Sequence, residues 1–352
     1  MSESVRESSA RDVSIDRIKA IACVLVSVGH FFMSMSESGL LPESGFYNWF
    51  ISTLYTFHVP LFFICSGYLY KEESRTSGRV LGRVRFLADK LVSLGIPFVV
   101  FSTFTYVIKI LFSSQVNTQV NDSYFSIYVV PISPYWYLYV LFCCFVITPP
   151  FQRKSGTYSS LACFFLIKTI FCFIGEDNLP YIVEKLIDNE FWFLLGMALR
   201  ASGLKRRLGV YTAVIGAAFA PASLIMYWGG FYFQIIRFWI GILACLFIFS
   251  IVNMCENRKN KKIMNFLIRY NMPIFLMHTI FAAAMRTILL LLGIRILAVH
   301  IIFGLVVSFA GPGFAGWAFK KFGKFNYLIY PPKIFARDSN LHKSRGVDST
   351  EK

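Results

Sequence analysis

Apolar stretches long enough to cross a hydrocarbon layer recur along the whole of this chain, which leaves few folds open to it. A spanning helix needs ~20 predominantly apolar residues. Such runs are read near residues 18–36, 46–69, 91–112, 132–151, 157–175, 186–200, 208–228, 231–252, 270–292 and 295–319. The expected fold is therefore all-α, a polytopic transmembrane helical bundle of about ten spans. Composition agrees: 56% of the residues are hydrophobic and only 15% are charged, whereas soluble domains carry ~25% charged residues. Pro131, Pro134, Glu184 and Asp188 crowd the starts of the fourth and sixth runs.

Orientation is read from lysines and arginines, which accumulate on the cytoplasmic side. Lys71, Arg75, Arg79, Arg83, Arg85 and Lys90 fill the connection after the second run. Basic groups return at Arg153–Lys154, at Arg200 and Lys205–Arg207, and between Arg258 and Arg269. The connections at 37–45 and 113–131 have none, and the one near 176–190 has only Lys185 among several acids. This alternation predicts an even number of spans with both termini cytoplasmic. The net charge of +16 then reflects topology and attraction to anionic membrane lipids. Basic groups scattered over short loops speak against a nucleic-acid partner.

Residues 1–14 read as a polar cytoplasmic tail, 15–320 as a membrane domain and 321–352 as a basic cytoplasmic tail. The first apolar run is too long for a secretory h-region and lacks a small-residue cleavage site, so it is expected to persist as a span. The eight cysteines are dispersed, with no Cys-x-x-Cys and no metal-ligand spacing. They read as small packing residues, and no metal is expected.

Within the first run, Asp16, Lys19 and His30 share a helix face roughly, while Arg17 points elsewhere. Lys19 and His30 are eleven residues apart, hence ~16 Å along a helix axis. An ionisable side chain inside a membrane is costly and marks a functional candidate; a histidine hydrogen-bonded to a neighbouring helix is the structural alternative. His58 and Pro60 precede a phenylalanine cluster ending in Ser66-Gly67-Tyr68, which reads as a kinked, closely packed helix. Lys90 through Pro97 begins a helix at a basic rim that has the chemistry to hold phosphates or simply to anchor the helix. Trp136 lies in Tyr-Trp-Tyr-Leu, and His278 ends Pro-Ile-Phe-Leu-Met-His. Lys168 reads as deeper in its span than Lys109 and Arg237, which are placed to snorkel to the outer interface.

Taken in order, these segments resemble the acyltransferase-3 family of integral-membrane O-acyltransferases over residues 12–320. The most specific match is a basic residue, ten residues and a histidine, here Lys19 through His30 with Asp16 before it. PLFFICSGYLY, the basic run into Lys90 and Pro97, the WYL triplet at Trp136, FLLGM and PIFLMH follow in the family's order. The family more often has arginine at the Lys19 position; lysine keeps the charge and loses the bidentate fork.

The resemblance implies an enzyme of the bacterial cytoplasmic (inner) membrane. It would transfer an acyl group, usually acetyl, from acyl-CoA to a hydroxyl of an envelope glycan or lipid-linked sugar. Acetyl-CoA phosphates would rest on Lys19, Arg83, Arg85 and Lys90, and the thioester would arrive near His30. His30 would act as general base or form an acyl-histidine; sequence leaves both routes open. His278 and Trp136 would be cavity residues, and Asp16, His58 and Lys168 are further cavity candidates. A transporter or flippase of lipid-linked sugars, with His30, Lys168 and His278 along its path, and a non-catalytic scaffold are the competing readings. Inverted repeats typical of transporters are not visible, and a scaffold has no use for a cation and a histidine on one face.

Overall fold

The structure, a computed structural model, describes residues 12–70, 79–113, 123–149, 153–175, 179–255 and 259–334. Lys71, Arg75, Arg258 and most of both tails lie outside these residues. Among the described residues there is no strand, and each of the ten apolar runs contains a helix. Helices α1 (Val13–Glu37), α2 (Gly45–Leu54), α3 (His58–Leu69) and α4 (Arg79–Leu111) build the first part. They are followed by α5 (Trp136–Ile147), α6 (Lys154–Ile174), α7 (Tyr181–Ser202) and a short α8 (Lys205–Leu208). Helices α9 (Thr212–Trp228), α10 (Gln234–Met254), α11 (Lys262–Arg269), α12 (Asn271–Leu291), α13 (Leu297–Lys321) and α14 (Asn326–Ile329) complete the fold.

Eight segments are long and apolar enough to cross a membrane, α2 and α3 counting as one. The other two runs fall short for different reasons. Helix α5 has only 12 residues, ~18 Å of rise, because Pro131 and Pro134 delay its start. Helix α7 is long enough but carries Glu184, Lys185, Asp188 and Glu190 in its first half. Both pack inside the bundle, α7 against α3, α5 and α6.

The second run is broken rather than kinked. Tyr55–Phe57 are non-helical, and Pro60 is the third residue of a new helix, where a missing N–H breaks no intrahelical bond. Pro273 has the same position in α12. Close approach through small residues holds where expected. A Cβ on Gly67 would lie 1.8 Å from the Phe193 carbonyl oxygen, and one on Gly196 would lie 2.0 Å from that of Ile64. Glycine in both helices therefore lets the α3 and α7 backbones touch, as small residues do at membrane helix contacts.

Polar clasps set the register of α1. Asp12 caps its first turn through Ser14 and Ile15 and pairs with Lys205 at 2.6 Å. Arg17, buried, donates to the Cys255 carbonyl at 2.8 Å and to Asn260 at 2.6 Å, so it closes the end of α10. The Asn271 amide donates to the Lys19 carbonyl at 3.0 Å, and Arg286 donates to Ser34. Helix α12 is thereby fastened to α1 near both ends. Cys23, Cys65, Cys144 and Cys245 are buried and all eight cysteines are free thiols, as packing residues should be.

Candidate active site

Alternate helices run in opposite senses, so the starts of α3, α5, α7 and α10 meet the end of α6 at one end of the bundle. The starts of α1, α4 and α12 meet the ends of α3 and α5 at the other. A cavity lies toward each end. Lys19 lines the cavity at the α1 start, of about 380 Å³, together with Lys90, Asp89, Ser66, Tyr137 and Asn271. His30 lines the opposite cavity, of about 690 Å³, with Tyr55, His58, Trp136, Lys168 and Trp192. One helix face thus reaches both cavities, Lys19 in one and His30 in the other.

Three rings separate them. Phe62, Tyr137 and Phe275 contact one another with centroid separations of 5.5, 5.5 and 5.9 Å. All three face the Lys19 cavity. Their near neighbours Pro60 and Trp136 line the other side, and His278, one turn beyond Phe275, packs on His30. The Tyr137 and Ser66 hydroxyls are hydrogen-bonded at 3.2 Å.

The surroundings of His30 are aromatic and imidazole. Its ring centroid is 5.5 Å from that of His278 and 6.4 Å from that of Tyr55, which in turn is 4.4 Å from His58. His58 Nδ1 meets the Leu54 carbonyl at 2.8 Å, and His278 Nδ1 meets those of Ile274 and Phe275 at 2.9 and 3.0 Å. A carbonyl only accepts, so in both rings Nδ1 carries the proton. In the neutral rings Nε2 is then left as an acceptor. His278 Nε2 and the Tyr55 hydroxyl are buried and have no hydrogen-bond partner among the described residues. Such groups are costly unless something polar completes them.

Other sequence candidates land elsewhere. Arg83 donates to Tyr70 at 2.6 Å, to the Thr148 carbonyl at 2.9 Å and to Val146 at 3.1 Å, with a shorter bond to Phe145. It closes the end of α5 and does not line the Lys19 cavity. Arg85 and Asp16 line neither cavity. Lys90 does, with its ammonium 4.6 Å from the Phe145 ring centroid and 5.4 Å from that of Phe86. The Lys19 ammonium has no hydrogen-bond or ion-pair partner among the described residues.

Lys168 and His58 line the same cavity as His30, and Lys168 is paired with Asp188. Arg237, read from sequence as an interface residue, lines the cavity too. Sequence reasoning did not single out Tyr55, Tyr137 or Glu190. Glu190 is buried and accepts from Thr148, and its second oxygen has no partner among the described residues. An acid amid apolar residues in the sixth run was the signal available for it. Among the described residues no group of His, Cys, Asp and Glu is placed to hold a metal ion.

Comparison with known proteins identifies a family. The nodulation protein NolL of Mesorhizobium japonicum is 25% identical over 141 residues, 39% of this chain. The match covers 35% of NolL, about a third of that relative's length. No solved structure matches the chain. The acyltransferase-3 family, described as an acyltransferase domain, matches residues 12–317 and so takes in Lys19, the three rings, His30 and His278. This chain belongs to the acyltransferase-3 family.

Proposed function

We propose that the protein is an integral-membrane O-acyltransferase that moves an acyl group, acetyl by family resemblance, from cytoplasmic acyl-CoA to a hydroxyl of an envelope glycan or lipid-linked sugar. The observation that carries this reading is the disposition of Lys19 and His30 on α1, each in a different cavity, with one layer of aromatic rings between. A one-sided pocket offers no such division between two substrates.

The donor enters on the Lys19 side. Its phosphates are polyanionic, and Lys19 and Lys90 supply the charge to hold them. The thin pantetheine arm passes the Phe62–Tyr137–Phe275 layer and presents the thioester near His30, ~16 Å along the helix from Lys19. The acceptor occupies the wider cavity. Its hydroxyl gives a proton to the imidazole of His30 as the oxygen attacks the thioester carbon; the bond to sulfur breaks and CoA thiol leaves with a proton. General-base help of this kind contributes ~10²–10⁴-fold. His278 Nε2 and the Tyr55 hydroxyl, buried beside His30 without partners, are suited to orient that ring and the incoming hydroxyl. Helix α12 holds His278 by its backbone-bonded Nδ1, so this neighbour is already oriented before substrate arrives.

The reading places the Lys19 side in the cytoplasm of a bacterial inner membrane, in agreement with the basic loops. The test is a comparison of envelope glycans, by mass spectrometry and NMR, from cells with and without the gene. Loss of one ester substituent at unchanged glycan amount supports the transferase. Unchanged substitution with altered glycan export would establish the flippase instead.

A further inference from the structure

The His30 cavity holds five charged side chains besides its histidines: Lys168, Asp188, Glu184, Lys185 and Arg237. Four are matched within the cavity. Lys168 pairs with Asp188, and Lys185 meets Glu184 at 2.5 Å. The Arg237 guanidinium has no hydrogen-bond or ion-pair partner among the described residues. A cation half-buried at a cavity wall with no partner among the described residues is suited to receive an anion.

The helix that carries Arg237 does not account for it. It lies at the fourth position of α10, whose start has no side-chain cap. A cation in the first turn opposes the helix dipole, whereas an anion there is favoured. Gln234, one turn earlier, lines the same cavity, as do Trp136 and Trp192. An arginine fork, an amide and two tryptophans together match a sugar that bears an oxyanion: the fork takes two oxygens, and an indole suits a sugar's apolar face.

We propose that the acceptor is anionic and that Arg237 binds its charged group, the carboxylate of an acidic sugar or the phosphate of a lipid-linked one, while His30 faces a hydroxyl. This rests on the acyltransferase reading and goes further by naming the acceptor's charge. The donor phosphates remain at the opposite end of the bundle, so Arg237 serves only the acceptor.

The test uses unacylated acceptor extracted from cells that lack the gene, added with radiolabelled acetyl-CoA to proteoliposomes of neutral lipid that hold the full-length protein. One portion of the extract is carboxyl-reduced and another is treated with mild acid to release sugar from lipid phosphate. One of these treatments should lower acylation at least tenfold and thereby identify the anion. Arg237→Gln should lower acylation of untreated acceptor to a similar degree at equal protein level, with retention of acetyl-CoA unchanged, and Arg237→Lys should restore part of it. Equal acylation after both treatments, or wild-type acylation by Arg237→Gln, overturns the proposal. Loss of acetyl-CoA retention in Arg237→Gln also overturns it, because Arg237 would then support the bundle. No acylation by wild-type protein of untreated acceptor would instead bring down the acyltransferase reading itself, and this proposal with it.

Discussion

The two cavities share one trait and differ in almost every other. Each contains a cation with no hydrogen-bond or ion-pair partner among the described residues, Lys19 in one and Arg237 in the other. The Lys19 cavity is the smaller, about 380 Å³, and is walled by Phe62, Phe86, Tyr137, Phe145 and Phe275. The His30 cavity is about 690 Å³ and has two ion pairs, three further polar side chains of α3, α7 and α10, and two tryptophans. A narrow aromatic passage with a cation at its mouth suits a slender chain tied to phosphates. A broad polar basin suits a hydroxyl-rich ring. On the proposed function, the shape of what surrounds each cation would separate donor from acceptor, since charge alone is common to both.

The largest effect expected is that of His30→Ala, because the proposed function makes His30 the general base. Acylation should fall by ~10²–10⁴-fold with protein abundance unchanged. Acylation measured in membranes and normalised to protein level decides it; retention of a tenth or more of wild-type transfer would remove His30 from the general-base role. Lys19→Ala acts next, and on one side only. Losing a charge-assisted contact to phosphate costs ~1.5–3 kcal/mol, about tenfold to a hundredfold in the donor KM. Lys19→Arg should keep donor use. The acceptor KM should not change in either variant, and a matched rise in both KM values would erase the division between the cavities.

Much of this was legible in the sequence, and the failures have identifiable causes. Ten apolar runs became helices because membrane length and helix length obey the same rise per residue. The Lys19–His30 spacing survives for the same reason: positions on a single helix are set by local geometry. Residues whose role depends on another helix were not readable. Arg83 and Arg85 look alike in the basic run, yet only the arrival of the α5 end gives Arg83 its carbonyls. Arg237 was assigned to the interface because its depth was judged along α10 alone, whereas Lys168 of α6 and Asp188 of α7 create the basin it lines. Tyr137 hides beside the more conspicuous Trp136; their opposite faces put one in each cavity. Pro60 was read as a kink because the break at Tyr55–Phe57 contains no proline or glycine to announce it.

A substitution that disturbs both cavities together is the control for this comparison. Helix α3 gives His58 to one cavity and Ser66 to the other, and it touches α7 through Gly67 and Gly196. Gly196→Ala places a methyl against the Ile64 carbonyl, an overpacking that typically costs ~1–3 kcal/mol. The thermal midpoint in detergent should drop, and donor and acceptor KM should rise together. A rise in only one KM would mean that α3 and α7 move independently of one of the cavities.

The smallest effect belongs to Asp12, which fixes where α1 begins and hence where Lys19 is presented. Burial by itself would raise its carboxyl pKa; the hydrogen bonds from Lys205 and Ser14 and the Lys205 charge outweigh that and hold it below its ordinary value. A carboxyl whose pKa is depressed on folding contributes stability above its unfolded pKa and loses it as pH falls through the folded one. The Asp12 side chain is 26% exposed, so solvent screening keeps the ion-pair part to ~0–1 kcal/mol. Asp12→Asn retains an oxygen to cap Ser14 and Ile15 but discards the charge, so its stability deficit should be small at pH 7 and should shrink as pH falls below the ordinary Asp pKa of ~3.9. Asp12→Ala also loses the cap, worth ~1 kcal/mol, and should stay less stable than Asp12→Asn at every pH. Thermal midpoints of the three proteins across that range decide it. A deficit in Asp12→Asn that does not shrink as the pH is lowered would show that the Lys205 pairing is not its cause, and a changed donor KM in Asp12→Asn would show that the start of α1, and not Lys19 alone, shapes the proposed donor cavity.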